Sequence, residues 1–127
     1  MTDKKPILCL DFDGVIHSYV SGWRGATMIP DPPVPGALDF LARAARVFDV
    51  QIHSSRSHWV GGIKAMQDWL RYHSAAAGGV VPEWIDMITW PAEKPPAFVT
   101  LDDRAITFTG IWPDLDDLKS FKPWWSK

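Results

Sequence analysis

A chain of 127 residues, 46% hydrophobic and 22% charged, has the size and composition of one ordinary domain with a single packed core, which excludes two independent domains, a disordered tail and a fibre. Thirteen Lys and Arg against fifteen Asp and Glu leave a formal net charge of −2, so the sequence-blind attraction of a basic protein to phosphate backbones is missing and nucleic acid is an unsupported partner. The lone Cys9 excludes an internal disulfide, the apolar run Ile7–Leu10 is short for a signal peptide, no stretch nears the roughly 18 apolar residues of a membrane span, and there is no Asn to carry a glycan, a combination that predicts a cytoplasmic protein.

Ile7 to Asp11 is a nearly unbroken apolar run, the pattern of a strand covered on both faces in a parallel sheet. Residues 14–35 carry four Pro among Gly, Ser and Asp, with Val15–Val20 as the only strand-like piece, and read as an irregular, flap-like excursion. Pro35 then opens a helix over Ala37–Arg46, in which Leu38, Leu41, Ala42, Ala45 and Phe48 recur at helical spacing. Val47–His53 reads as a second buried strand, ended by a Ser-Ser-Arg-Ser cluster that can cap the next helix. That second helix carries Trp59, Ile63, Met66 and Leu70 on one stripe and stops at Gly78-Gly79, although Gly61-Gly62 weakens its first turn. Further strands are predicted at Trp84–Thr89, Ala97–Leu101 and Ala105–Thr109, and the tail 112–127 holds a helical patch around Asp114–Phe121 before a basic, aromatic end. Strands alternating with helices of this length predict right-handed crossovers, a mostly parallel central sheet and helices on both faces: a three-layer, Rossmann-like α/β fold.

In such a sheet, ligands gather at the carboxyl ends of the strands. The first strand ends in Asp11-Phe12-Asp13-Gly14, and period-two geometry points Asp11 and Asp13 to one side. The second ends in Ser54-Ser55-Arg56, Lys94 precedes the fourth, and Asp102-Asp103 closes it. Four carboxylates brought together raise one another's pKa, so a positive partner is implied. An all-oxygen set suits Mg²⁺, which keeps several waters and leaves room for a phosphate, while one carboxylate can attack phosphorus and a protonated neighbour can serve the leaving oxygen. Blander readings compete at each position. Asp13-Gly14 is also a hairpin turn signal, Asp102-Asp103-Arg104 a solvated turn, Ser54 a helix cap and Lys94 a loop charge. His53, inside an apolar strand, reads as a satisfied buried histidine, and Cys9 as a packed thiol.

At these residues the chain resembles the haloacid dehalogenase-like (HAD) hydrolase superfamily, in its phosphatase branch. Leu8-Cys9-Leu10-Asp11-Phe12-Asp13-Gly14-Val15 is similar to the family's first motif, Ser54 to the second, Lys94 to the third, and Phe98 to Asp103 to the fourth, in the right order from about Ile7 to Thr109. The resemblance implies Asp11 as a nucleophile forming an aspartyl-phosphate and Asp13 as general acid and base. It also implies Mg²⁺ held by Asp11, the Asp13 carbonyl, Asp102 and Asp103, with Ser54 and Lys94 binding the phosphoryl group. In the family a helix usually separates the third-motif Lys from the fourth strand. Here Lys94-Pro95-Pro96 runs almost directly into Ala97, which makes Arg56 the alternative phosphate cation.

Neither interval between the motifs has room for a cap domain, so the resemblance implies an open, capless site for a phosphorylated substrate, with contacts from His17, Tyr19, Trp23 and Arg24 in the excursion. A capless site and the end Lys122, Trp124, Trp125 and Lys127 raise a nucleic-acid 3′-phosphatase as an alternative. A phosphoacceptor or interaction module, as in receiver domains, is the other. In those the acidic pair comes first and the acceptor Asp later, whereas here Asp-x-Asp is first and Asp-Asp last. The Trp-rich tail suits packing on its own domain or against a second copy in an oligomer.

Overall fold

A computed structural model describes residues 4–126 as an α/β fold around a three-stranded parallel sheet. The strands are β1 (Ile7–Leu10), β2 (Asp49–Ile52) and β3 (Val99–Leu101), in the order β2-β1-β3. Their register sets Leu8 beside Val50 and Val99, and Leu10 beside Ile52 and Leu101. Because side chains alternate, these residues share one sheet face, while Cys9, Gln51 and Thr100 share the other.

The helices α1 (Ala37–Val47) and α2 (Gly62–Gly78) both send apolar residues to the first face. Leu41 and Ala44 of α1 and Met66, Trp69 and Leu70 of α2 join Leu8, Leu10, Val50 and Ile52 in one buried cluster, with Phe12 and Ile16 closing its upper end. Right-handed crossovers that step in the same direction, from β1 to β2 and on past β2, place both helices on the same side. After α2 the chain has no long helix among its described residues, and the expected helices on the other face are not seen there.

Boundaries shift by a residue or two from the pattern-based expectations. Pro35 is not the first helical residue: Gly36, at φ 86°, precedes α1. β2 starts at Asp49 because Val47 still belongs to α1. The Ser-rich cluster folds into a 3₁₀ turn, Ser55–His58, and α2 begins only at Gly62. Gly62 is required there, since a Cβ would run into the Arg56 carbonyl as α2 crosses that turn.

Two predicted strands are not formed. Trp84–Thr89 is mostly a 3₁₀ helix, Glu83–Met87, and only Thr89 bridges the outer edge of β2, with N–H···O bonds of 3.0 Å to and from its backbone. Ile85 and Ile88 are buried three residues apart, a spacing that a helical turn satisfies and a strand does not. Ala105–Thr109 has no strand partner, and Ile106 and Phe108 are exposed. The tail contains α3 (Leu115–Lys119), capped by the Asp114 carboxylate. No helix of the described residues is long and apolar enough to cross a membrane.

The core predicts its own stability ranking. Leu70→Ala, at a site with no solvent exposure, should cost about 2–5 kcal/mol in urea denaturation, whereas Leu115→Ala on exposed α3 should stay within about 0.5 kcal/mol of the parent.

Candidate active site

The carboxyl ends of β1 and β3 meet because the ladder continues one residue past each strand: the Asp11 N–H donates to Leu101 O at 3.0 Å. Asp11 therefore stands beside Asp102 and Asp103, and the three offer carboxylate oxygens within 4.8 Å of one another. Asp11 Oδ1 accepts from the Phe12 N–H at 2.8 Å, Asp102 Oδ1 from the Arg104 N–H at 2.8 Å, and Asp103 Oδ2 from the Trp125 indole N–H at 2.5 Å. The remaining Asp103 oxygen, Oδ1, is buried without a partner among the described residues. Burial, the Asp103 carboxyl close beside it and repulsion from Asp102 and Asp103 push the Asp11 carboxyl up to about 8.

These groups line a cleft of about 500 Å³ that also takes in Asp13, Ser54 and Lys94. Asp11 and Asp13, Ser54, and Asp102 and Asp103, from the ends of the first, second and fourth predicted strands, thus line one cleft with Lys94. Ser54 is nonetheless also the cap foreseen as the bland alternative: its hydroxyl accepts from the Arg56 N–H at 3.1 Å. The hydroxyl proton is not used by that bond and remains available to a ligand in the cleft.

Arg56 is corrected by the structure. It does not line the cleft, and its side chain is fully buried. Nε donates to both Asp13 oxygens, at 2.9 and 3.1 Å, and Nη1 to the carbonyls of Gly25, Ala26 and Met28. The guanidinium lies over the Trp23 ring at 4.8 Å. Arg56 thereby holds protein to protein, and the Lys and Arg side chains that line the cleft are Lys94 and Arg104.

Asp13, expected at the metal through its backbone carbonyl, has its side chain outside the converging triad. It pairs with Arg56 and with His17 Nδ1 at 2.9 Å. The tautomer of His17 is set by its other nitrogen: Nε2 accepts from the Asp31 N–H at 3.1 Å, so the proton of the neutral ring sits on Nδ1 and points at Asp13. His17 is therefore a buried residue, not a substrate contact. Asp31 is desolvated, but the Ser21 hydroxyl and N–H, with help from His17, hold its carboxyl below the ordinary value.

Of the other excursion residues, Tyr19 reaches the cleft, Trp23 covers Arg56, and Arg24 donates to the Ser21 carbonyl. His53 also differs from its sequence reading. It lines the cleft, and Nε2 is buried without a partner, while burial, then His58 and Lys94, push its pKa down. Sheet register carried the signal: the His53 N–H bonds Leu10 O, so period two sets His53 alongside Asp11 on the Cys9 face. The Cys9 thiol is buried at the cleft floor, and burial pushes its pKa up. Trp125, 22 residues from Asp103, gave no such signal. Its indole and that of Trp124, which donates to Gly14 O at 2.7 Å, fold the basic, aromatic end back onto the site.

Comparison with protein-family models, with curated proteins and with solved structures finds no match for this chain.

A carboxyl whose pKa rises on folding stabilises the native state below its unfolded value and loses that contribution as pH climbs through the folded value. For Asp11 the window runs from its ordinary 3.8 to about 8. In chelator, the protein should lose stability across this window in thermal melts, and Asp11→Asn should flatten the slope and melt higher at pH 8. Arg56→Met leaves Asp13 buried without its cation and should cost about 3–5 kcal/mol in urea denaturation.

Proposed function

We propose that this protein is a Mg²⁺-dependent phosphatase of the HAD-like type, hydrolysing a phosphomonoester through an aspartyl-phosphate on Asp11. The observation that carries this reading is the convergence of Asp11 with Asp102 and Asp103 from the ends of neighbouring parallel strands, in one cleft with Ser54 and Lys94. The strand order β2-β1-β3, with Thr89 outside β2, supports a Rossmann-like, capless domain in which the motifs occupy adjacent strand ends.

The residues fit a hard divalent cation. The donors are all carboxylate oxygens, one of them buried and unpaired, and their mutual repulsion is part of what raises Asp11. Asp11, Asp102 and Asp103 would hold Mg²⁺ with the Asp13 carbonyl, and the ion would neutralise Asp11 and the phosphoryl oxygens. Asp11 then attacks phosphorus as the bond to the leaving oxygen breaks. Asp13, a carboxylate beside Arg56, takes a proton from the water that attacks the aspartyl-phosphate, which releases phosphate and regenerates Asp11, and gives that proton to the leaving oxygen of the next turnover. His17 and Arg56 fix the orientation of Asp13. The Ser54 hydroxyl and the Lys94 ammonium bind the transferring group as its charge spreads over the equatorial oxygens.

Hydrolysis of 4-nitrophenyl phosphate tests the reading. Turnover should require Mg²⁺, fall to background in Asp11→Asn, and drop about 10²–10³-fold in kcat/KM in Lys94→Ala. Turnover that survives in Asp11→Asn, or that ignores Mg²⁺, would contradict it.

A further inference from the structure

We propose that Trp125 is a positioning residue for the cation site, holding Asp103 in its ligating orientation, an inference that rests on the Mg²⁺ reading above. Asp103 sits on the loop after β3, where repulsion from Asp11 and Asp102 would turn a free carboxylate out toward solvent. The Trp125 indole N–H prevents this. It takes Asp103 Oδ2 at 2.5 Å and leaves the other oxygen, Oδ1, buried with no donor of its own among the described residues. A neutral donor behind a ligating carboxylate fixes its direction without competing for the free oxygen.

The indole is itself held on two further sides. The Tyr19 ring meets it edge-on at 5.1 Å and 88°, and the Arg104 guanidinium lies over it at 5.3 Å. Next along the chain, Trp124 donates to Gly14 O at 2.7 Å, and a turn closed by Ser126 N–H to Pro123 O anchors the pair. Gly14, at φ 80°, is the residue after Asp13, and a Cβ there would strike both the Asp103 carboxylate and the Trp125 indole. The tail therefore bolts the loop after β1 to the loop after β3, the two loops that supply every carboxylate of the site.

The test uses Mn²⁺, a paramagnetic stand-in for Mg²⁺, titrated into the full-length protein and followed by electron spin resonance. Trp125→Phe keeps an aromatic ring and removes the N–H, and should weaken Mn²⁺ binding by about 10–100-fold. In an Asp103→Ala background, the same change should alter affinity by less than about twofold, because the N–H no longer has a carboxylate to aim. Equal affinity of Trp125→Phe and parent, or the same loss in both backgrounds, would overturn the inference. Failure of the parent to bind Mn²⁺ would remove the metal reading and this inference with it. Should Trp125→Phe not fold, the Trp125 indole N–H resonance of the unaltered protein, assigned through its contact with Tyr19, serves instead: Mg²⁺ must shift it, and an unmoved resonance overturns the inference.

Discussion

A fully buried guanidinium has to be neutralised and hydrogen-bonded where it lies, and Arg56 draws three distant segments together to do so at Nε and Nη1, while Nη2 is buried without a partner among the described residues. The carboxylate comes from Asp13 after β1, the carbonyls from residues 25–28 of the irregular excursion, and the cation itself from the turn after β2. The excursion is consequently a packed part of the domain: His17 joins it to Asp13, Ser21 to Asp31, and the Trp69 indole of α2 donates to Asp31 O at 3.1 Å. Asp13 inherits its orientation from the same arrangement.

The other three carboxylates live under the opposite regime. Asp11, Asp102 and Asp103 face one another without a salt bridge to any cation among the described residues, and burial together with their mutual contacts raises Asp11. One carboxylate has a cation built into the fold, and the other three have no ion-pair partner among the described residues. Unequal environments of this kind are how a fold assigns different tasks to chemically identical groups. In the proposed mechanism, Asp13 handles protons beside a permanent positive charge, and Asp11 becomes an effective nucleophile only when the triad is neutralised.

Much of this was legible in the chain. Buried strands announce themselves as short apolar runs and helices by their stripe, so β1, α1, β2 and α2 fall near their expected places. Asp11 and Asp102-Asp103 were legible because strand ends fix where such residues go. What failed was information carried only by tertiary neighbours. Ile106 and Phe108 alternate with Thr107 and Thr109 as a strand would, but no strand lies beside them. Arg56 and Lys94 look alike as sequence cations, yet burial against Asp13 commits the first to the fold and leaves the second in the cleft. Trp125 reaches Asp103 across a tail whose path no local pattern specifies.

The central claim, that Asp11 is the phosphoryl acceptor at a cation-dependent site, is most directly tested with beryllium trifluoride, which mimics an aspartyl-phosphate. With Mg²⁺ present, ¹⁹F NMR should show bound fluorides on the native protein that vanish with chelator and are absent in Asp11→Asn. Native protein that binds Mg²⁺ but shows no bound fluoride, or an Asp11→Asn variant that still shows it, would contradict the account.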